Sequence, residues 1–185
     1  MTSSLMLFVL ALLMIAQLPT EVTLQPQPRV LKRARKRIDR TRLATLNCRT
    51  LLDDSTLADL DITLTENNIA LCALQETRRD GCLSVLTDNY KIYWYGECSG
   101  HRGVGFAVHR KFVHLVKDVR GIPNSDGRLM TLDILLHDNN NPVTFICAYS
   151  PPNTASAKTR EKFYAKLRSI AKPSSWQMGD FKAVN

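Results

Sequence analysis

Apolar positions in this chain fall into short runs separated by polar clusters, and most of the runs have the length of strands. Residues 43–47 predict a strand. Leu57, Leu60 and Leu64 recur at helical spacing, Asp54 and Ser55 can cap that helix, and Asn67-Asn68 ends it. Residues 69–75 run apolar without a break up to Gln75, the pattern of a strand buried on both faces. Two more strands are expected over 90–95 and 103–109, with Gly100, Gly103 and Gly105 marking the turn and a bulge between them. A further strand is expected over 113–119, and a hairpin from 128–136 and 143–149 around the polar stretch 137–142. Residues 156–171 predict a helix with Phe163, Leu167 and Ile170 on one stripe; Lys172-Pro173 stops it, and 174–181 leads into a last strand. This order of many strands and two or three helices predicts α/β layers. No internal repeat or low-complexity tract interrupts it.

Charge divides the chain more sharply than hydropathy does. The 185 residues carry a net charge of +8, with 44% hydrophobic and 23% charged residues, and have room for one domain. Arg29, Lys32, Arg33, Arg35, Lys36, Arg37, Arg40 and Arg42 lie close together with only Asp39 against them, whereas 43–185 holds 17 basic and 15 acidic residues. The block at 29–42 reads either as a contact for nucleic-acid phosphates or nuclear import, or as a self-repelling solvated linker. With Pro19, Pro26 and Pro28 before it, 19–42 is expected to be a linker, and the globular part to start at Leu43.

Residues 5–18 form an apolar run too short to cross a bilayer comfortably and right for the core of a signal peptide. No Lys or Arg precedes it and a basic block follows, both against export. A signal or anchor segment at 1–18 therefore stands beside an apolar helix as a reading. Secretory entry follows only if 5–18 acts as a signal; otherwise the domain suits the nucleus or cytoplasm. Cys48, Cys72, Cys82, Cys98 and Cys147 show no metal-ligand spacing, and their odd number argues against a complete disulfide framework, which fits a reducing compartment.

Candidate chemistry sits where apolar runs stop. Gln75-Glu76-Thr77 ends the most apolar run, Asn47 ends the first strand, Tyr149 ends the strand at 143–149, and Gly179-Asp180-Phe181 closes the last. Taken singly, Glu76 reads as a loop carboxylate, Asn47 as a turn former, Tyr149 as a strand-end aromatic, Arg128 as a strand-edge charge and Asp180 as a loop starter. Together with Ala44-Thr45-Leu46-Asn47, Gly103-Val104-Gly105-Phe106, Ser125-Asp126-Gly127-Arg128 and Tyr149-Ser150-Pro151-Pro152-Asn153, in this order, the stretch 43–185 resembles the endonuclease/exonuclease/phosphatase, or DNase I-like, family. The wording of 45–51 (TLNCRTL) and 73–81 (ALQETRRDG) is most similar to endonucleases of non-LTR retroelements and to craniofacial development protein 2-like sequences.

That resemblance implies an α/β sandwich of two packed sheets flanked by helices, and water attack on a phosphodiester helped by Mg²⁺, with Mn²⁺ as the alternative. It implies Glu76 and Asn47 at the metal, Asp180 activating water, Tyr149 facing the phosphate, and Arg128 and Lys182 contacting phosphate. The family usually has Asn where this chain has Lys182, and its Ser-Asp-His motif is not found in these residues. On that basis the sandwich is expected to be incomplete, with the first sheet and the start of the second, an exposed apolar face and impaired catalysis. DNA is the expected substrate, and a protein partner could cover the incomplete sheet. A non-catalytic fragment or nucleic-acid-binding module is one rival reading; a phosphodiesterase of inositol phosphates or lipids is another, because the fold alone does not select a substrate.

Overall fold

Strand β2 (Ile69–Gln75) is buried at every residue, because both of its faces are covered. In the computed structural model, which describes residues 41–98, 100–136 and 141–181, it lies inside a five-stranded sheet of order β1-β2-β5-β4-β3. The other members are β1 (Arg42–Asn47), β3 (Gly81–Leu86), β4 (Tyr90–Gly96) and β5 (Val104–His109). Helix α1 (Asp54–Glu66) packs Leu57, Leu60 and Leu64 onto one face of this sheet, against Ala44, Cys72, Leu74, Tyr90, Ile92 and Ala107. The opposite face presents Leu71, Ala73, Val104, Phe106 and Val108 to a second sheet. Alternation along each strand thus sorts one apolar run into two cores.

The second sheet has four strands in the order β6-β7-β8-β9: β6 (Val116–Gly121), β7 (Leu129–Ile134), β8 (Val143–Tyr149) and β9 (Trp176–Asp180). Met130, Leu132, Ile134, Phe145 and Cys147 face the first sheet, and Leu129, Ile146 and Ala148 face Phe163 and Leu167 of α2 (Ala157–Ile170). Ser156 caps α2 by accepting a hydrogen bond from the Thr159 amide at 3.1 Å. This is a DNase I-like α/β sandwich of two mixed sheets with a helix on each outer face.

Two parallel pairs matter for function. β1 and β2 are parallel and linked by α1; β8 and β9 are parallel and linked by α2. A parallel pair needs such a crossover, and its carboxyl ends come out side by side. β1 also packs across on β9, and β2 on β8 and β9, so four carboxyl ends gather at one end of the sandwich.

Three expectations are revised. Residues 113–119 do not form one strand: a 3-10 turn at Arg110–Leu115 precedes β6, started by the Lys111 amide donating to Nδ1 of His109 at 3.2 Å. No bulge separates β4 and β5, whose register runs unbroken from Tyr90–His109 to Tyr95–Val104. The apolar face expected to be bare is covered: every residue of β2 and the middle of β8 are buried between the sheets and helices. β3, not anticipated, is an outer strand with nearly every residue exposed. Residues 1–18 and nearly all of 19–42 lie outside the described residues; Arg42, counted with the linker, opens β1. Among the described residues no helix is long and apolar enough to cross a membrane.

Candidate active site

Glu76 leaves β2 with a left-handed backbone, φ 58°. A residue with a side chain is held there at a cost of about 1–2 kcal/mol, so the surroundings must impose it. They do so on the following residues. The Thr77 amide donates to the Gly103 carbonyl at 3.2 Å and the Arg78 amide to the Arg102 carbonyl at 2.7 Å. Gly103 is required here: its φ is +83°, and a Cβ would lie 2.4 Å from Oγ1 of Thr77.

The turn aims the Glu76 carboxylate across the strand ends. Its Oε1 accepts from Nδ2 of Asn47 at 2.7 Å and from the hydroxyl of Tyr149 at 3.0 Å. Asn47 belongs to the first sheet and Tyr149 to the second, so one carboxylate oxygen joins the two layers. The amide oxygen of Asn47 accepts from the Arg49 amide at 3.1 Å, which fixes the orientation of the amide. Asp180 is the register partner of Tyr149 on the parallel strand β9, and its carbonyl accepts from the Ser150 amide at 3.0 Å. Glu76, Asn47, Tyr149 and Asp180 are therefore brought to one end of the sandwich. Lys182 lies outside the described residues.

Arg128 is nearby but turned away from solvent, only 6% exposed. Its Nη1 donates to the carbonyls of Tyr149 and Ser150 at 3.2 and 3.1 Å, and its guanidinium lies 4.9 Å from the centre of the Tyr149 ring. Nε is buried without a partner. Burial, then the nearby Arg102, draws its pKa below the usual arginine value. Burial first, and then the hydrogen bond and charge of Glu76, raise the pKa of Tyr149, so the phenol is a proton donor at neutral pH.

Sequence reasoning missed Gln75. It is 1% exposed, accepts from Oγ1 of Thr45 at 3.2 Å and donates to Sγ of Cys147 at 3.4 Å, so it ties β1, β2 and β8 directly beneath Glu76. The one available signal was an amide closing an otherwise apolar run. Burial pushes the Cys48 thiol up to about 12 and the Cys147 thiol to about 11, so neither is a nucleophile or a thiolate ligand at neutral pH.

Among the described residues no group of three or more His, Cys, Asp and Glu side chains could hold a metal. The site suits a cation that takes few protein ligands. Oε1 of Glu76 is occupied by two donors, while Oε2 has no hydrogen bond among the described residues. One carboxylate with a neighbouring amide fits Mg²⁺, which keeps most of its waters beside one or two carboxylates.

The same arrangement of layers recurs in solved structures. An AP endonuclease from Archaeoglobus fulgidus superposes with a TM-score of 0.53 at 21% identity, over 75% of this chain and 56% of that one. The AP endonuclease LMAP from Leishmania major gives 0.53 at 16% identity, over 75% and 54%. The endonuclease domain of TRAS1, a telomere-specific non-LTR retrotransposon, gives 0.48 at 16% identity, over 76% and 59%. No family model and no curated protein matches the sequence. The fold is that of the endonuclease/exonuclease/phosphatase, or DNase I-like, proteins. The chain spans little more than half the length of either AP endonuclease.

Proposed function

We propose that the chain is a Mg²⁺-dependent phosphodiesterase of the DNA endonuclease type, slow on its own. The observation that carries this reading is the convergence on Glu76: a carboxylate held by backbone strain, oriented from both sheets by Asn47 and Tyr149, with Asp180 beside Tyr149 at the next strand end. Glu76 through Oε2, with Asn47 next to it, would hold the ion. A bound Mg²⁺ would supply Lewis-acid polarisation of a phosphoryl oxygen and neutralise developing charge. Asp180 would take the proton of the attacking water. The Tyr149 phenol, kept protonated, would orient Glu76 and turn its polar edge to the phosphate. Arg128 supports Tyr149 from below through its ring and its carbonyl, and Lys182 stands as a candidate phosphate contact.

Slow turnover follows from what does not reach Glu76. Among the described residues no histidine hydrogen-bonds to Glu76 or Tyr149. General-acid and oxyanion partners each contribute orders of magnitude in rate. That observation also favours the second reading, a nucleic-acid-binding module without turnover. The test is nicking of plasmid or abasic-site DNA by the full chain with Mg²⁺, beside Glu76→Gln. Weak cleavage abolished by Glu76→Gln and by chelation supports the enzyme. Cleavage that survives Glu76→Gln, or none at high protein concentration, removes it.

A further inference from the structure

The two helices that cover the sandwich carry opposite charge. α1, on the outer face of the first sheet, holds Asp54, Asp59, Asp61 and Glu66 and no cation. α2, on the outer face of the second, holds Lys158, Arg160, Lys162, Lys166 and Arg168 against Glu161, and Lys172 follows it. Residues 158–172 are net +5, so the rest of 43–185 is net −3. The near-neutrality of the folded body conceals this separation.

The distribution on α2 works against the helix itself. Lys158, Lys162 and Lys166 follow one another at i, i+4 spacing, where like charges disfavour the helix. Lys158 stands in a first turn that has no acidic residue, where the helix dipole also opposes a cation. Among the described residues none of these cations takes part in an ion pair. A helix needing only solubility would interleave signs. One that retains uncompensated repulsion is stabilised when a polyanion lies on it.

Geometry narrows the polyanion. Arg160, Tyr164 and Arg168 follow at i, i+4, i+8, so an aromatic ring lies between two guanidiniums on one shoulder of α2. With Ala157 and Glu161 they line a shallow recess of about 260 Å³. The Tyr164 ring is braced edge-on against buried Phe163, their centroids 5.1 Å apart. Arg160 donates to the carbonyls of Asn153 and Ala155 at 2.9 and 2.6 Å, which anchors the start of the strip to the segment leaving Tyr149. The strip thus begins at the site end of the sandwich and leads away from it over the outer face. Cations interleaved with a braced ring match phosphates and the stacking face of an unpaired base.

We propose that the outer face of α2 is a tether for single-stranded DNA outside the Glu76 cleft, with Arg160 and Arg168 on phosphates and Tyr164 under a base. The choice of DNA as the polyanion rests on the phosphodiesterase reading of Glu76; the binding itself requires no cleavage. It is tested on the full chain in EDTA by fluorescence anisotropy of a short labelled single-stranded oligonucleotide across a salt series. Arg160→Gln/Arg168→Gln is compared with Lys111→Gln/Lys117→Gln, which removes the same charge from the 3-10 turn and from β6, an edge strand of the second sheet, and leaves the block at 29–42 intact. Two lost phosphate contacts reduce the slope of log K against log salt by about 1.4. Tyr164→Leu, which keeps an apolar contact with Phe163, weakens binding roughly tenfold at fixed salt. Melting curves matching wild type show that the variants are folded.

Equal slopes for the two charge pairs overturn the proposal. So does preferential, Arg168-dependent binding to phosphatidylserine vesicles, which makes the surface a membrane contact. Dissociation of a self-assembled chain by the α2 pair without any change in DNA binding makes α1 of a second copy the occupant and also overturns it. An intact tether with no Glu76-dependent nicking leaves this proposal standing and removes the enzyme reading instead.

Discussion

Tyr149 and Glu76 are 73 positions apart and belong to different sheets, yet the Tyr149 hydroxyl lies 3.0 Å from Oε1 of Glu76. The same oxygen accepts from Asn47 at 2.7 Å. Two donors on one acceptor polarise it in common, so removing either changes what the other is worth. Asn47→Ala and Tyr149→Phe are each expected to cost about 1–2 kcal/mol in urea unfolding, since the acceptor is charged and only partly buried. The double variant should depart from the sum by about 0.5 kcal/mol or more. Additivity within about 0.3 kcal/mol would mean that the two donors do not share the oxygen.

Gly103 is the most direct test of the strained turn. Gly103→Ala places a methyl 2.4 Å from Oγ1 of Thr77 in a backbone at φ +83°. Loss of about 2–4 kcal/mol is expected from overpacking and left-handed strain together. Because the Gly103 carbonyl holds the amide that follows Glu76, Mn²⁺ affinity measured by electron paramagnetic resonance should weaken as well. An unchanged melt in Gly103→Ala would show that the Thr77 turn yields easily.

Much of this arrangement was legible in the chain, for reasons specific to particular elements. β2 announced itself because a strand covered on both faces must be apolar throughout, and α1 because Leu57, Leu60 and Leu64 keep helical spacing. β3 was illegible: Cys82, Leu83 and Ser84 face water on an outer strand, and no alternation records a core. The 3-10 turn was read as strand because Phe112, Val113 and Leu115 are apolar for packing between the sheets, not for alternation. Glu76, Asn47, Tyr149 and Asp180 could be picked out as polar endings of apolar runs. That Gln75 reaches Cys147 and that Arg128 lies over Tyr149 depends on register across the sheet interface, which no local pattern encodes. The charge separation between α1 and α2 was hidden by summing over the whole body.

Asp61 gives the fold a pH dependence on its acid side. It is 5% exposed on α1 and accepts from the amide and side chain of Asn89 at 2.9 and 2.7 Å and from the Thr87 hydroxyl, which pins the β3–β4 turn to the helix. Burial raises its pKa, but the hydrogen bonds from Thr87 and Asn89 together outweigh burial and hold the carboxyl below its ordinary value of 3.8. A folded-state pKa below the unfolded one contributes stability that is present above the unfolded value and lost as pH falls through the folded one. Asp61→Asn should therefore be destabilised by about 1.5–3 kcal/mol at neutral pH. The gap to wild type in urea midpoints should close as pH falls below 3.8. A gap that stays constant down to the acid limit would assign the loss to geometry alone.

The cysteines report whether the sandwich closes without help. Cys82 and Cys98 are exposed, while Cys48, Cys72 and Cys147 are buried. Burial raises the Cys48 thiol to about 12 and the Cys147 thiol to about 11, and lifts Cys72 well above its ordinary value. Thiolate is the reactive form, so a buried thiol resists twice, through access and through protonation. Cys147 lies between the sheets with its Sγ donating to the Leu74 carbonyl at 3.2 Å, and Cys72 lies under α1. A disulfide reagent at neutral pH should therefore modify two thiols quickly and the other three only at the rate of opening, with all five reacting at once in denaturant. Fast reaction of Cys147 in the native chain, while Cys72 stays protected, would mean that the second sheet swings off the first and that the apolar face between them needs a cover. Protection of both shows that the inner faces of the two sheets satisfy each other.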